Sequence, residues 1–71
     1  MIRMKYERLK RGWRQEDLGF YARIAGADIS RIEIGRLKPY PTHIERLCKV
    51  LGLAPEELLE EVDSAGVEAL R

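Results

Sequence analysis

The sequence predicts an all-α fold of five short helices, and three observations predict it. Apolar residues recur at helical spacing in successive short windows. Glycines and prolines fall between those windows, where helices stop and start. No stretch of useful length alternates apolar and polar residues as a half-buried strand does, and no internal repeat is present.

The first helix is expected over Arg3–Lys10, with Ile2, Tyr6 and Leu9 as its stripe at i, i+4 and i+7. Gly12 follows as a helix stop, and Trp13 plugs the core beneath the turn. The second helix is expected over Gln15–Ala22. It presents Gln15, Leu18, Gly19 and Ala22 on one face, with Glu16 and Asp17 in its first turn, where negative charge suits the helix dipole. A mid-helix glycine costs about 1 kcal/mol relative to Ala, so Gly19 points to close approach by a neighbouring helix. The third helix spans Gly26–Ile34, with Ile29 and Ile32 inward and Gly35 as its end. Arg36-Leu37-Lys38-Pro39 is a basic loop. The fourth helix opens at Pro41, where a missing N–H is harmless, and carries Ile44, Leu47, Cys48 and Leu51 inward up to Gly52. The fifth begins at Pro55 and carries Leu58, Leu59 and Val62. Residues 1–62 form the domain, and 63–71 a short tail that is frayed or docked on a partner.

Seventy-one residues, 45% apolar and 35% charged, suit one small globular domain whose core must be filled efficiently. No apolar run reaches the ~18 residues of a membrane span, and the charged start does not resemble a signal peptide. Cys48 is the sole cysteine, which suggests a reducing, cytoplasmic setting and a core role rather than a nucleophile. The net charge of +1 conceals an asymmetry. Residues 1–38 carry ten Lys/Arg against five Asp/Glu, and residues 39–71 carry three against seven. A basic front half fits a polyanion, with the acidic half facing away. No metal-ligand cluster, nucleophile motif or glycine-rich phosphate loop is present, so neither catalytic residues nor a metal or cofactor is expected. His43 reads as a surface histidine.

Two short helices on either side of a tight turn, Gln15 to Gly35, have the layout of a helix-turn-helix. Several pieces fall in register: Arg8-Leu9-Lys10-Arg11-Gly12-Trp13, Gln15-Glu16-Asp17-Leu18, Ile29-Ser30-Arg31-Ile32-Glu33-Ile34-Gly35, Pro39, Leu51-Gly52-Leu53 and Glu56-Glu57-Leu58-Leu59. The ordered set resembles the Cro/C1-type (XRE-like) helix-turn-helix regulators across Arg3 to Glu61. The resemblance implies a five-helix, lambda-repressor-like domain that binds double-stranded DNA sequence-specifically, commonly as a homodimer on a palindromic operator. It implies base-facing positions at Gly26, Ala27, Ser30 and Arg31, and phosphate contacts from Gln15, Arg14, Arg36 and Lys38. It also implies a structural ion pair between Arg8 and Glu33.

The sequence departs from the family pattern at two positions. Arg23 stands where the turn carries Gly, so the turn either holds a left-handed Arg or takes another shape. Ala25 stands where a Ser or Thr would cap the third helix. An alternative register follows, in which the second helix runs on to Ala25 and Asp28 caps a shortened third. Within the third helix only Arg31 suits bidentate guanine recognition, while Asp28 serves the helix N-terminus or accepts from a cytosine amino group. Gln15, Arg36 and Lys38 admit a plainer reading as solvated surface. Phe20 is either a single exposed ring or a contact for a protein partner. A non-catalytic adaptor or antitoxin-like partner-binding module on the same scaffold is the alternative function.

Overall fold

A computed structural model describes residues 1–63. Four α-helices follow one another: α1 Arg3–Lys10, α2 Gln15–Ala22, α3 Gly26–Glu33 and α4 Pro41–Leu51. Each contributes one wholly buried side chain, respectively Met4, Leu18, Ile29 and Leu47, and the segment after α4 contributes Leu58. Burying such a side chain stabilises the fold by about 1.5–3 kcal/mol, so the core is built from every element at once. Ala22, Ile24, Ile32, Cys48 and Leu51 complete it, with Trp13, Leu37 and Ile44 packed at its edge. Residues 64–71, most of the expected tail, lie outside the described residues.

The expected fifth helix is not formed. Pro55–Glu57 make one 3-10 turn, and the chain then straightens to lie beside its own beginning. The reason lies at the start of α1. The first amides of a helix have no intrahelical acceptor, and Ile2 has no side chain to cap them. The Arg3 N–H instead donates to the Glu60 carbonyl at 2.7 Å and the Met4 N–H to the Leu58 carbonyl at 3.0 Å. The Val62 N–H donates to the Met1 carbonyl at 2.9 Å, closing a single antiparallel bridge between Ile2 and Glu61. Carbonyls given to α1 cannot continue a helix. Leu58 is buried by this arrangement while Leu59 is left exposed.

The stripe of α1 also differs from expectation. Met4, Glu7 and Arg8 face inward, whereas Ile2, Tyr6 and Leu9 are half-buried. Two of the three inward residues are charged, so apolar periodicity points to the wrong face.

All four helices end in the same way. Two or three residues past each helix, a backbone N–H reaches back five residues: Trp13 to Arg8, Ile24 to Gly19, Arg36 to Arg31 and Leu53 to Cys48, at 2.8–3.1 Å. This six-to-one bond defines the Schellman ending, which requires a left-handed residue just before the donor. Gly12, Gly35 and Gly52 take that position in three helices. In α2 it is Arg23, at φ 59°, the sole non-glycine with positive φ among the described residues. The turn therefore keeps its ordinary shape and holds a left-handed arginine. α3 starts at Gly26 with Ala25 as an uncapped N-cap, so the alternative register with Asp28 as cap is not adopted.

Gly19 allows the close approach expected of it, by the turn and by the first residue of α3 together. A Cβ there would stand 2.3 Å from the Ile24 carbonyl oxygen and 3.2 Å from the Gly26 nitrogen. The backbone leaving α2 folds directly over Gly19, and any side chain would push α3 away from α2.

Two substitutions in this turn should have opposite signs. Gly19→Ala overpacks against backbone and should destabilise by about 1–3 kcal/mol despite the better helix former. Arg23→Gly removes the left-handed penalty and should stabilise by about 1 kcal/mol, raising Tm by about 4–8 °C. Urea and thermal unfolding measure both; a Gly19→Ala variant as stable as the parent would refute the close approach.

Candidate nucleic-acid interface

The first turns of α2 and α3 lie side by side because Gly26 has no side chain. A Cβ on it would meet Glu16 Cα at 3.3 Å. Between the two helix starts lies a cleft lined by Arg14, Gln15, Glu16, Gly26, Ala27 and Ser30. Five of the eight residues expected to face DNA are thereby brought together. The leading backbone amides of both helices have no intrahelical acceptor, and two helix N-termini aimed at one place make a site suited to an anionic oxygen.

Gln15 is held in place from below. Its Nε2 donates to Glu33 Oε1 at 3.1 Å. Glu33 in turn receives both arms of Arg8, Nε to Oε2 at 2.7 Å and Nη2 to Oε1 at 3.0 Å. Arg8 Nη1 donates to the Trp13 carbonyl at 2.8 Å. Both charged side chains are buried, 7% and 2% exposed. One network thus fixes α1, the turn after it, the start of α2 and the end of α3. Gln15 retains a second amide hydrogen for the cleft.

Arg14 faces the cleft but is engaged, with Nη1 3.0 Å from Glu16 and Nε 3.6 Å from Asp17. Asp17 also accepts the Arg14 N–H at 2.8 Å, the carboxylate half of a capping box. Arg31 projects from the exposed side of α3, and its Nη1 donates to Asp28 Oδ1 at 2.8 Å. That contact leaves the Nε/Nη2 edge of the guanidinium as a complete pair of parallel donors. Arg36 and Lys38 are exposed, but Lys38 borders a separate apolar cleft with Ile2, Ile32, Leu37, Pro39 and Leu59. Glu16 in the cleft and the pairing of Asp28 with Arg31 are not among the sequence expectations. The i, i+3 spacing of Asp28 and Arg31 was the available signal.

Arg11 belongs to the scaffold. Its Nη1 donates to Glu7 Oε1 at 2.8 Å and to the Glu7 carbonyl at 2.9 Å, and its Nη2 to the Leu51 carbonyl at 3.1 Å. Arg3 reaches the same carboxylate at 3.1 Å, and Lys10 lies 3.8 Å away. Burial pushes the Glu7 carboxyl up, but hydrogen bonds from Arg11 and Arg3 and the neighbouring charges outweigh it and hold the group below its ordinary 4.5. Cys48 is buried, and burial together with Glu56 and Glu57 raises its thiol above the usual value. His43, expected at the surface, is half-buried, with Nδ1 unpartnered and its ring 5.1 Å from Tyr40. Among the described residues no group of three His, Cys, Asp or Glu is placed to hold a metal. No helix there is long and apolar enough to cross a membrane.

The paired helices, their tight turn and the shared cleft at their starts define a helix-turn-helix domain. The family model described as a helix-turn-helix domain matches residues 2–62, and the chain belongs to that family, which is Cro/C1-like (XRE-like). No curated protein and no solved structure matches the chain.

Removing either member of the Arg8–Glu33 pair strands a buried charge. Arg8→Ala and Glu33→Ala should each cost about 3–5 kcal/mol, enough to unfold much of so small a domain. The double variant Arg8→Met/Glu33→Leu should lose less than either single, as read from urea unfolding. The depressed Glu7 carboxyl contributes stability that is present above pH 4.5 and is lost as pH falls through its folded value. Glu7→Gln should therefore be less stable at pH 7 yet show a shallower loss below pH 4.5. An unchanged acid limb in Glu7→Gln would show that other carboxyls govern it.

Proposed function

We propose that this chain is a transcriptional regulator that binds double-stranded DNA sequence-specifically, with α3 in the major groove. The convergence of Arg14, Gln15, Gly26, Ala27 and Ser30 on one cleft between two helix N-termini carries this reading. Helix N-termini and Gln15 would hold a phosphate beside the groove, and α3 would then lie with Ala27, Ser30 and Arg31 toward base edges. The domain is residues 1–62, with residues 63–71 as a C-terminal segment that would take part in a dimer contact.

Base reading is sparse in this helix. The exposed face of α3 carries neither Asn nor Gln. Arg31 is the one bidentate reader, and its bond to Asp28 limits its rotamers, so less freedom is lost when it meets guanine. Ala27 contacts a thymine methyl, and the remaining preference comes from DNA shape. Arg36 and Lys38 add backbone contacts from the loop. Such a set is weak for one domain, which favours a homodimer on a palindrome with half-sites roughly 34–36 Å apart. The apolar cleft bordered by Ile2, Leu37, Pro39 and the exposed Leu59 supports a dimer contact on that side.

Selection from a random duplex library, followed by a salt titration of the enriched sequence, tests the reading. A palindrome should emerge, with log affinity falling linearly against log salt. Arg31→Ala should relax preference at one base pair per half-site by about 1–3 kcal/mol while leaving the rest of the site intact. Absence of any enriched sequence would sink the regulator reading, and an unaltered preference in Arg31→Ala would sink the role of that residue.

A further inference from the structure

The end of α2 remote from the α2–α3 cleft borders a second cleft. A cleft of about 310 Å³ opens there between α2 and α4, lined by Tyr21, Arg23, Arg46, Lys49 and Val50. It holds three cations and no carboxylate. Arg3, Arg8, Lys10, Arg11, Arg14 and Arg31 all pair with acids of this chain. By contrast, among the described residues the side chains of Arg23, Arg46 and Lys49 have no ion-pair or hydrogen-bond partner, and Arg46 Nε is buried without one. A buried donor left unpaired costs stability unless something external accepts from it.

Arg23 adds an independent sign. It occupies the one left-handed position of the four helix endings that is not glycine. Backbone strain retained where glycine would relieve it points to a use for the side chain. Beside the cations lies apolar surface. Phe20 is 80% exposed and stands edge-on to Tyr21 at 5.5 Å, and Tyr21 leans on Trp13 at 4.7 Å.

We propose that this cleft is a docking site for an acidic, amphipathic segment of a partner protein. Its carboxylates would pair with Arg23, Arg46 and Lys49, and its apolar side chain would lie against Tyr21, Phe20 and Val50. Charge complementarity selects carboxylates or phosphates, and the aromatic step beside them selects protein, because a duplex backbone offers nothing apolar to cover Phe20. The site is separated from the α2–α3 cleft by the eight-residue length of α2, about 12 Å along the helix, so both can be filled together.

The test is an NMR titration of the isotope-labelled full chain with three probes. They are a twelve-residue Glu-rich peptide carrying Leu and Phe at i, i+4 spacing, the same peptide with Gln for every Glu, and a random duplex. The acidic peptide should shift the amides of Tyr21, Arg23, Arg46, Lys49 and Val50 and the Arg46 Nε–H saturably, and the Gln peptide should not. Arg46→Gln and Arg23→Gly should each weaken it about fivefold to tenfold. Arg23→Gly is the decisive variant, because it relieves the backbone and so cannot lose binding by misfolding. Unchanged peptide affinity in Arg23→Gly, shifts confined to α3, or no saturable shift overturns the proposal. Movement of the same amides by the duplex, in competition with the peptide, overturns it in favour of a phosphate site.

Discussion

The arrangement of the candidate interface depends on one buried constraint, the Arg8–Glu33–Gln15 network. Two charges are removed from water in a domain too small to offset a large desolvation cost. The geometry compensates for it. Arg8 places three nitrogens on acceptors, two on Glu33 and one on the Trp13 carbonyl, and Gln15 adds a further donor to Glu33. Apolar packing among Leu18, Ile29 and Leu47 is non-directional and would tolerate small rotations of α3 against α2. A bidentate guanidinium–carboxylate pair does not, because its plane and length are fixed. The network therefore sets the angle between the helix starts that form the cleft, and the core supplies the free energy that keeps the network dry.

The second constraint is repetition of one chain reversal. Four helices of eight to eleven residues must each end abruptly to fit one small core. The same six-to-one bond closes all of them. Between α2 and α3 the reversal is the tightest, since the chain leaving α2 passes directly over Gly19 and α3 begins against Glu16. Glycine is thus needed at two places for closeness, Gly19 and Gly26, while the position that most favours glycine on backbone grounds holds Arg23. A domain that satisfies steric demands on both sides of this turn and leaves the conformational one unmet is trading stability for a charge at that point.

The sequence was informative where a local signal had one physical cause. Gln15–Ala22 is legible from its acidic first turn and Pro41–Leu51 from the Pro at its start, each in agreement with an apolar face. The residues at the starts of α2 and α3 were legible through the resemblance, and the structure collects them in one cleft. The inward face of α1 was not legible from periodicity, since Glu7 and Arg8 occupy it and only tertiary pairing makes them suitable there. Nor was the fate of Pro55–Val62. Its Leu58, Leu59 and Val62 suit a helix locally, but the uncapped amides of Arg3 and Met4 claim its carbonyls from the far end of the chain. Such long-range backbone capping leaves no trace within a window of ten residues.

The charge asymmetry between the two halves of the chain does not say which cations are already paired. Six of the ten basic residues in the front half are paired with carboxylates of the same chain, among them Arg14 and Arg31 at the candidate interface. At the α2–α3 cleft the helix N-termini add a short-range attraction for anions that acts within about one turn. Among the described residues the cations without an acidic partner are Lys5 on α1, Arg36 and Lys38 in the loop after α3, and Arg23, Arg46 and Lys49 around the far end of α2. Short-range donors reward correct fit over mere proximity, since an anion must enter the cleft before it gains anything.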